Sequence, residues 1–158
     1  MKRIAIQGEL GSFHDIAAHQ YFGDEQVELI SCATFEEVFE NIKRDPTVIG
    51  IVAIENTIAG SLLHNYELLR QSGTTVVGEH RLHIEHSICC LPDDDWSTLQ
   101  EVHSHPVALM QCGRFLANHP DLKAVEAEDT AGSAAFIAKH QVRGWAAICS
   151  TYAAEMYG

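Results

Sequence analysis

The sequence predicts an α/β fold with parallel-rich sheets, and three observations carry that expectation. Strand-like apolar stretches alternate with helix-like ones along nearly the whole chain. The strand-to-helix junctions repeat one chemistry: "GELGS", "TIAGS" and "TAGS" reach Gly-Ser near a helix start, and "HSHP" makes the same transition with Ser and Pro. One run, "VIGIVAI", is almost continuously apolar, as a strand buried on both faces is. Alternating strands and helices imply parallel strands joined by right-handed crossovers. The 158 residues suffice for one ordinary domain or for two small lobes sharing a cleft.

Taken in order, "KRIAIQ" alternates like a strand, and "SFHDIAAHQYF" reads as an amphipathic helix with Ser12 as N-cap and Asp15 completing a capping box. "VELIS" is a second strand. "TFEEVFENIKRD" is the clearest helix: Thr34 caps it, Glu37 completes the box, Phe35, Val38, Phe39 and Ile42 form one stripe, and Pro46 stops it. "VIGIVAI" follows as a buried strand, then a helix from Ser61 to Ser72 closed by Gly73. "TTVVGEHRLHIEHSICCLP" alternates through Leu82, Ile84, Ile88 and Cys90, which predicts one long strand crossing from one lobe to the next. After Pro92 the pattern restarts: "LQEVHS" strand, "PVALMQCGRFLANH" helix, "LKAVEAE" strand, "TAGSAAFIAKH" helix, "GWAAICS" strand and "TYAAEMYG" helix. The expected division is one lobe over 1–79 and a second over 80–158.

An apolar content of 46% and a charged content of 20% are those of a globular protein. No segment approaches a membrane span, and the apolar part of "MKRIAIQGELG" is too short for a signal peptide, so a cytoplasmic location is expected. A formal net charge of −12 argues against nucleic acid, whose phosphates need a basic surface. It leaves small anions open, because a local site can be positive on an acidic protein. The five cysteines include no CxxC pair and sit mostly in apolar runs, which predicts reduced, buried thiols.

In an α/β sheet, strand-to-helix junctions gather at the carboxyl ends of the strands, where ligands bind. Helix N-termini there favour a carboxylate or phosphate, and glycine lets a ligand approach the backbone. Gly and Ser are equally good turn and cap residues, so each junction alone has a structural reading too. "GELGSF" is neither a dinucleotide fingerprint nor a Walker loop, which disfavours a nucleotide. His80, His83 and His86 invite a metal reading, but the inferred strand points His83 away from the other two, so no metal site is expected. Cys112 and His105 fall at opposite ends of one helix, too far apart for a nucleophile and its base. In "SHPVALMQC", Pro106 fits a first helical turn with Ser104 at its mouth. Gln111 returns to nearly the same face about 10 Å further along. Either that face holds a small carboxylate, or the pair is a capping serine with a core glutamine.

The ordered set "GELGSFHDIAA", "GIVAIENTIAGSL", "EHRLHIEHSI", "SHPVALMQC", "DTAGSAA" and "AAICSTYAAEMYG" resembles the catalytic domain of the prephenate dehydratase family along nearly the whole chain. The resemblance implies conversion of prephenate to phenylpyruvate with loss of CO2 and water, on the route to phenylalanine. It implies two α/β lobes similar to a periplasmic-binding-protein type II fold, with the site in the cleft between them. It implies no metal or organic cofactor, and a homodimer or higher homo-oligomer. By motif, Asn56, Ser104 and Gln111 match family residues of binding and turnover. Glu55 stands beside Asn56 as a candidate proton donor if buried, or as a structural partner of a nearby cap. Thr130 matches a threonine facing the cleft, and Gly11 and Ser12 match the first Gly-rich turn. The same stretches add Thr57, Gly60, Ser61, His105 and Ala131 as substrate-binding candidates.

The family continues past "AAEMYG" into a Thr-Arg-Phe motif and, commonly, an ACT sensor domain. The chain ends at Gly158 before either, so weak or no activity is expected of these residues alone. Arogenate in place of prephenate, a non-catalytic carboxylate-binding module, and a structural α/β fragment remain as alternatives.

Overall fold

A computed structural model describes residues 1–158. They form two compact units, Met1–Glu9 with Phe13–His83, and Leu10–Ser12 with Ile84–Gly158. The change of unit at 83/84 compares with the junction at 79/80 drawn from the sequence.

In the first unit, β1 (Lys2–Gln7), β2 (Val27–Cys32) and β3 (Ile49–Ile51) form a parallel sheet in the order β2-β1-β3. The crossovers are α1 (Phe13–Phe22) and α2 (Phe35–Arg44). The central strand β1 is buried on both faces. Ile4 and Ile6 pack with Ala18 and Phe22, while Ala5 packs with Cys32, Val38 and Val48. Thr34 caps α2 as expected, its hydroxyl accepting from Glu37 N–H at 3.3 Å. The Glu37 carboxylate, however, accepts from Ala33 N–H at 2.8 Å, one residue before the N-cap.

The apolar run "VIGIVAI" does not become one buried strand. Only three residues pair, on one side, because β3 is an edge strand. Its continuation is taken up elsewhere: Asn65 Nδ2 donates to Ala53 O at 2.8 Å, and Leu62 N–H donates to Ile54 O at 2.8 Å. A two-residue hairpin pair follows, β4 (Glu55–Asn56) with β5 (Gly60–Ser61), so Ser61 belongs to a strand and not to the helix. The helix α3 runs Leu63–Ser72 and ends on Gly73, left-handed at φ 68°, as expected.

The second unit is built on β6 (His86–Cys90), β7 (Glu101–Ser104), β8 (Lys123–Glu126) and β9 (Trp145–Ser150), in the order β6-β9-β7-β8. β7 is parallel to both β8 and β9, but β6 is antiparallel to β9. The long strand expected over "TTVVGEHRLHIEHSICCLP" is thus only His86–Cys90, since only these residues find a partner ladder. The helix expected over "PVALMQCGRFLANH" is two short ones, α4 (Pro106–Gln111) and α5 (Gly113–Ala117). They break at Cys112, whose φ of −93° and ψ of 12° leave helical geometry just ahead of a glycine. α6 (Thr130–His140) and α7 (Thr151–Tyr157) complete the unit. Ala146 and Ile148 of β9 pack with Val102, Ala108, Leu109 and Leu122; Ala147 and Cys149 face Ala131, Ala134, Ile137 and Ala153. No helix is long and apolar enough to cross a membrane.

Candidate active site

The first unit gathers Glu55, Asn56, Thr57, Gly60 and Ser61 on the β4–β5 hairpin. Asn56 Oδ1 accepts from the backbone N–H groups of Ile58 and Ala59, both at 2.9 Å, which fixes the turn and the orientation of the amide. Glu55 is exposed, so the premise of a buried acid does not hold. Its carboxylate accepts from Tyr66 Oη at 2.7 Å and from Ser61 Oγ at 3.0 Å. The same bond holds the Tyr66 phenol above its ordinary range, because the neighbouring carboxylate favours the protonated hydroxyl. Glu55 therefore has the surroundings of a structural acceptor, the second of the two readings left open by the sequence.

In the second unit, β7, β8 and β9 are parallel, so their carboxyl ends share one edge. Antiparallel β6 starts at that edge, with His86 opposite Ser150. Ser104, the last residue of β7, is fully buried, and its hydroxyl donates to Ile148 O at 2.6 Å. It does not cap the helix. His105 does, its Nδ1 accepting from Val107 N–H at 3.2 Å, which puts any neutral-ring proton on Nε2. Thr130 begins α6 and is buried at 9% exposure, beside the fully buried Ala131. Asp129 is the α6 N-cap, accepting from Gly132 N–H at 2.6 Å, so the Gly-Ser of "TAGS" lies inside the first turn instead of before it. Gly11 is brought against the same elements: a Cβ there would sit 3.0 Å from Ala153 Cβ and 3.7 Å from Ala131 Cβ. Its neighbour Ser12 is 3% exposed.

Gln111 closes α4, and its Oε1 lies 2.6 Å from His86 Nε2. The core-glutamine and ligand readings of this residue thus meet a third possibility, an amide held by a side chain from a neighbouring strand. His80, read from the sequence only as a metal candidate, instead bonds Gln20 Oε1 through Nε2 at 3.0 Å and stands edge-on to Tyr21. The strand invoked to split His80, His83 and His86 is absent at 80–85. Sequence reasoning missed the partners more than the positions: Tyr66 under Glu55, His86 beside Gln111, and Ser150 bonded to Gly11 O at 2.8 Å. Nothing local marks them. Each meets its partner through the tertiary fold.

Fold and site together define an α/β protein whose polar candidates stand on a hairpin and on the carboxyl edge of a parallel-rich sheet. The chain belongs to the prephenate dehydratase family, whose profile matches residues 4–158. It is 32% identical over 158 residues to the bifunctional chorismate mutase/prephenate dehydratase of Escherichia coli K12, across 99% of the chain and 41% of that protein. It is 37% identical to arogenate dehydratase 3, chloroplastic, of Arabidopsis thaliana, across 99% of the chain and 37% of that protein. The chain thus spans less than half the length of these relatives. Among solved structures, the Staphylococcus aureus Mu50 prephenate dehydratase matches with a TM-score of 0.78 at 26% identity, over 99% of this chain and 57% of that one. GqqA, described as a novel type of quorum quenching acylase, matches with a TM-score of 0.83 at 29% identity, over 99% and 56%. The expected periplasmic-binding-protein type II-like α/β class agrees with these neighbours.

Proposed function

We propose that this chain carries substrate-binding residues of a dehydratase that converts prephenate to phenylpyruvate, releasing CO2 and water. The observation that carries the reading is the family match across residues 4–158. Prephenate bears two carboxylates and a ring hydroxyl, and loss of one carboxylate with the hydroxyl creates an aromatic ring. The reaction is strongly downhill, so the protein must chiefly orient the departing groups and give the leaving hydroxyl a donor. Asn56, Ser104 and Gln111 are proposed for binding and turnover, with Gly11, Ser12, Thr57, Gly60, Ser61, His105, Thr130 and Ala131 shaping the site. Glu55 acts in this reading through the hairpin it braces, since Tyr66 and Ser61 occupy its carboxylate. A cytoplasmic location and a homodimer or higher homo-oligomer go with it.

A second reading, arogenate as substrate, is favoured by the 37% identity to a protein named arogenate dehydratase. The two differ only in a keto or amino group on the side chain, and the products are phenylpyruvate and phenylalanine. The test offers each substrate to the purified protein and quantifies both products. Turnover of prephenate, reduced about 10²-fold in kcat/KM by Gln111→Ala, is the expected result. Turnover of arogenate alone would replace the first reading with the second, and turnover of neither would overturn both.

A further inference from the structure

The orientation of the Gln111 amide has a visible cause, and this inference rests on Gln111 as a substrate-binding residue. An amide end is nearly symmetric in shape but opposite in chemistry: Oε1 only accepts and Nε2 only donates. Which end meets the substrate must be decided by something else. Gln111 sits at the last turn of a six-residue helix that breaks at the next residue, so α4 itself gives the side chain little restraint. His86 supplies it. Its backbone is fixed at the start of β6 by pairing with Ser150, and the adjacent Ser87 hydroxyl lies 2.7 Å from Thr151 Oγ1. From that fixed base the half-buried imidazole places Nε2 2.6 Å from Gln111 Oε1. Since Oε1 is an acceptor, Nε2 is the protonated ring nitrogen.

We propose that His86 is a positioning residue: by donating Nε2–H to Gln111 Oε1 it turns the Gln111 –NH2 away from the ring, as a hydrogen-bond donor for the substrate. Every polar group of prephenate that departs or anchors it, the carboxylates and the ring hydroxyl, accepts hydrogen bonds. A glutamine offering its –NH2 serves that substrate, while one offering its carbonyl repels the carboxylates. The bond from His86 also polarises the amide and strengthens its donors.

The test is a double-mutant cycle on the purified protein, reading kcat and KM for prephenate with Gln111→Ala, His86→Leu, the combination, and His86→Gln. His86→Leu is expected to lower kcat/KM about tenfold while the Gln111 amide is present, and by less than about twofold once it is removed. His86→Gln is expected to recover most of the loss, because its terminal –NH2 supplies a donor near the place of the imidazole Nε2. Equal losses from His86→Leu with and without the Gln111 amide would overturn the positioning role while leaving the reading of Gln111 intact. A silent Gln111→Ala would overturn that reading and the positioning role with it. A measurement on the unaltered protein guards against variants that fail to fold. Ring-nitrogen NMR shifts should report Nε2 of His86 as protonated at neutral pH, and a neutral ring protonated only at Nδ1 would overturn the proposal.

Discussion

The hydroxyl of Ser150 serves two partners. It donates to Gly11 O at 2.8 Å and accepts from Ala153 N–H at 2.9 Å, capping α7. With Tyr157 Oη donating to Leu10 O at 2.7 Å, this accounts for the grouping of Leu10–Ser12 with the second unit. Ser150→Ala removes a cap and leaves a buried carbonyl without this donor, so we expect a loss of about 2–3 kcal/mol in urea unfolding. Gly11→Ala should be comparably harmful, about 1–3 kcal/mol, for a different reason. Gly11 has φ of +88°, and an added Cβ would meet the Ala153 Cα, a backbone atom, at 3.1 Å. An unchanged urea midpoint for either variant would contradict this account. The thiols of Cys89 and Cys149 give a residue-level contrast at 3.5 Å separation. A hydrogen bond from Cys149 holds the Cys89 thiol below its ordinary range, and the same bond, with burial, pushes Cys149 far above its own. Cys89 is half-buried and Cys149 fully buried. Alkylation of the folded protein followed by peptide mass mapping should therefore label Cys89 well before Cys149, and the reverse order would refute it.

Between elements, β7 and β8 are tied at their starts, where Glu101 faces Lys123 in register and accepts from its Nζ at 3.0 Å. His103 Nε2 lies 3.0 Å from the same carboxylate's other oxygen. Lys123 first, then His103, hold the Glu101 carboxyl below the usual carboxylate range. A depressed folded pKa stabilises the fold above the unfolded carboxylate's pKa, and the contribution is lost as pH falls through the depressed value. Glu101→Gln should thus leave the protein with a shallower decline of thermal midpoint on acidification; superimposable acid limbs for the two proteins would exclude a role for this pair. The sheet itself also shows what the sequence could disclose. Helices with a local signal, such as Thr34 at the start of α2 and Gly73 at the end of α3, were legible because cap and stop chemistry is local. "KRIAIQ" and "GWAAICS" gave their strands, and these proved to be the ones buried on both faces, whereas the more apolar "VIGIVAI" became an edge. Apolarity measures burial, and burial here came partly from loop packing. The antiparallel direction of β6 and the shortening of its run were hidden, because pairing is decided by a partner some sixty residues away in sequence. For the site, the motifs supplied positions, but the bonds that orient Asn56, Glu55 and Gln111 depend on turn geometry and tertiary partners.

Over the whole molecule, the formal net charge of −12 sets a condition on any anionic substrate. A doubly charged carboxylate such as prephenate approaches through a field that repels it at long range, and is captured only by short-range groups: helix-start N–H groups, hydroxyls and amides. The two forces respond differently to salt. The Debye length is roughly 30 Å at 0.01 M ionic strength and about 8 Å at 0.15 M, so added salt removes the distant repulsion first. Contacts at hydrogen-bond distance inside a partly buried site are screened much less. The net effect of moderate salt on a proteinaceous anion site is normally to weaken binding, because most such sites draw on a positive surrounding field. Here the surroundings are negative, and the sign should invert. We expect kcat/KM for prephenate to rise, on the order of twofold, as ionic strength increases from about 0.01 to 0.15 M. A salt that does not itself bind, compared with a second of different anion, separates screening from competition at the site. A steady fall of kcat/KM with both salts would mean that a local positive field outweighs the charge of the chain, and that the site recruits its substrate with cations and not with neutral donors.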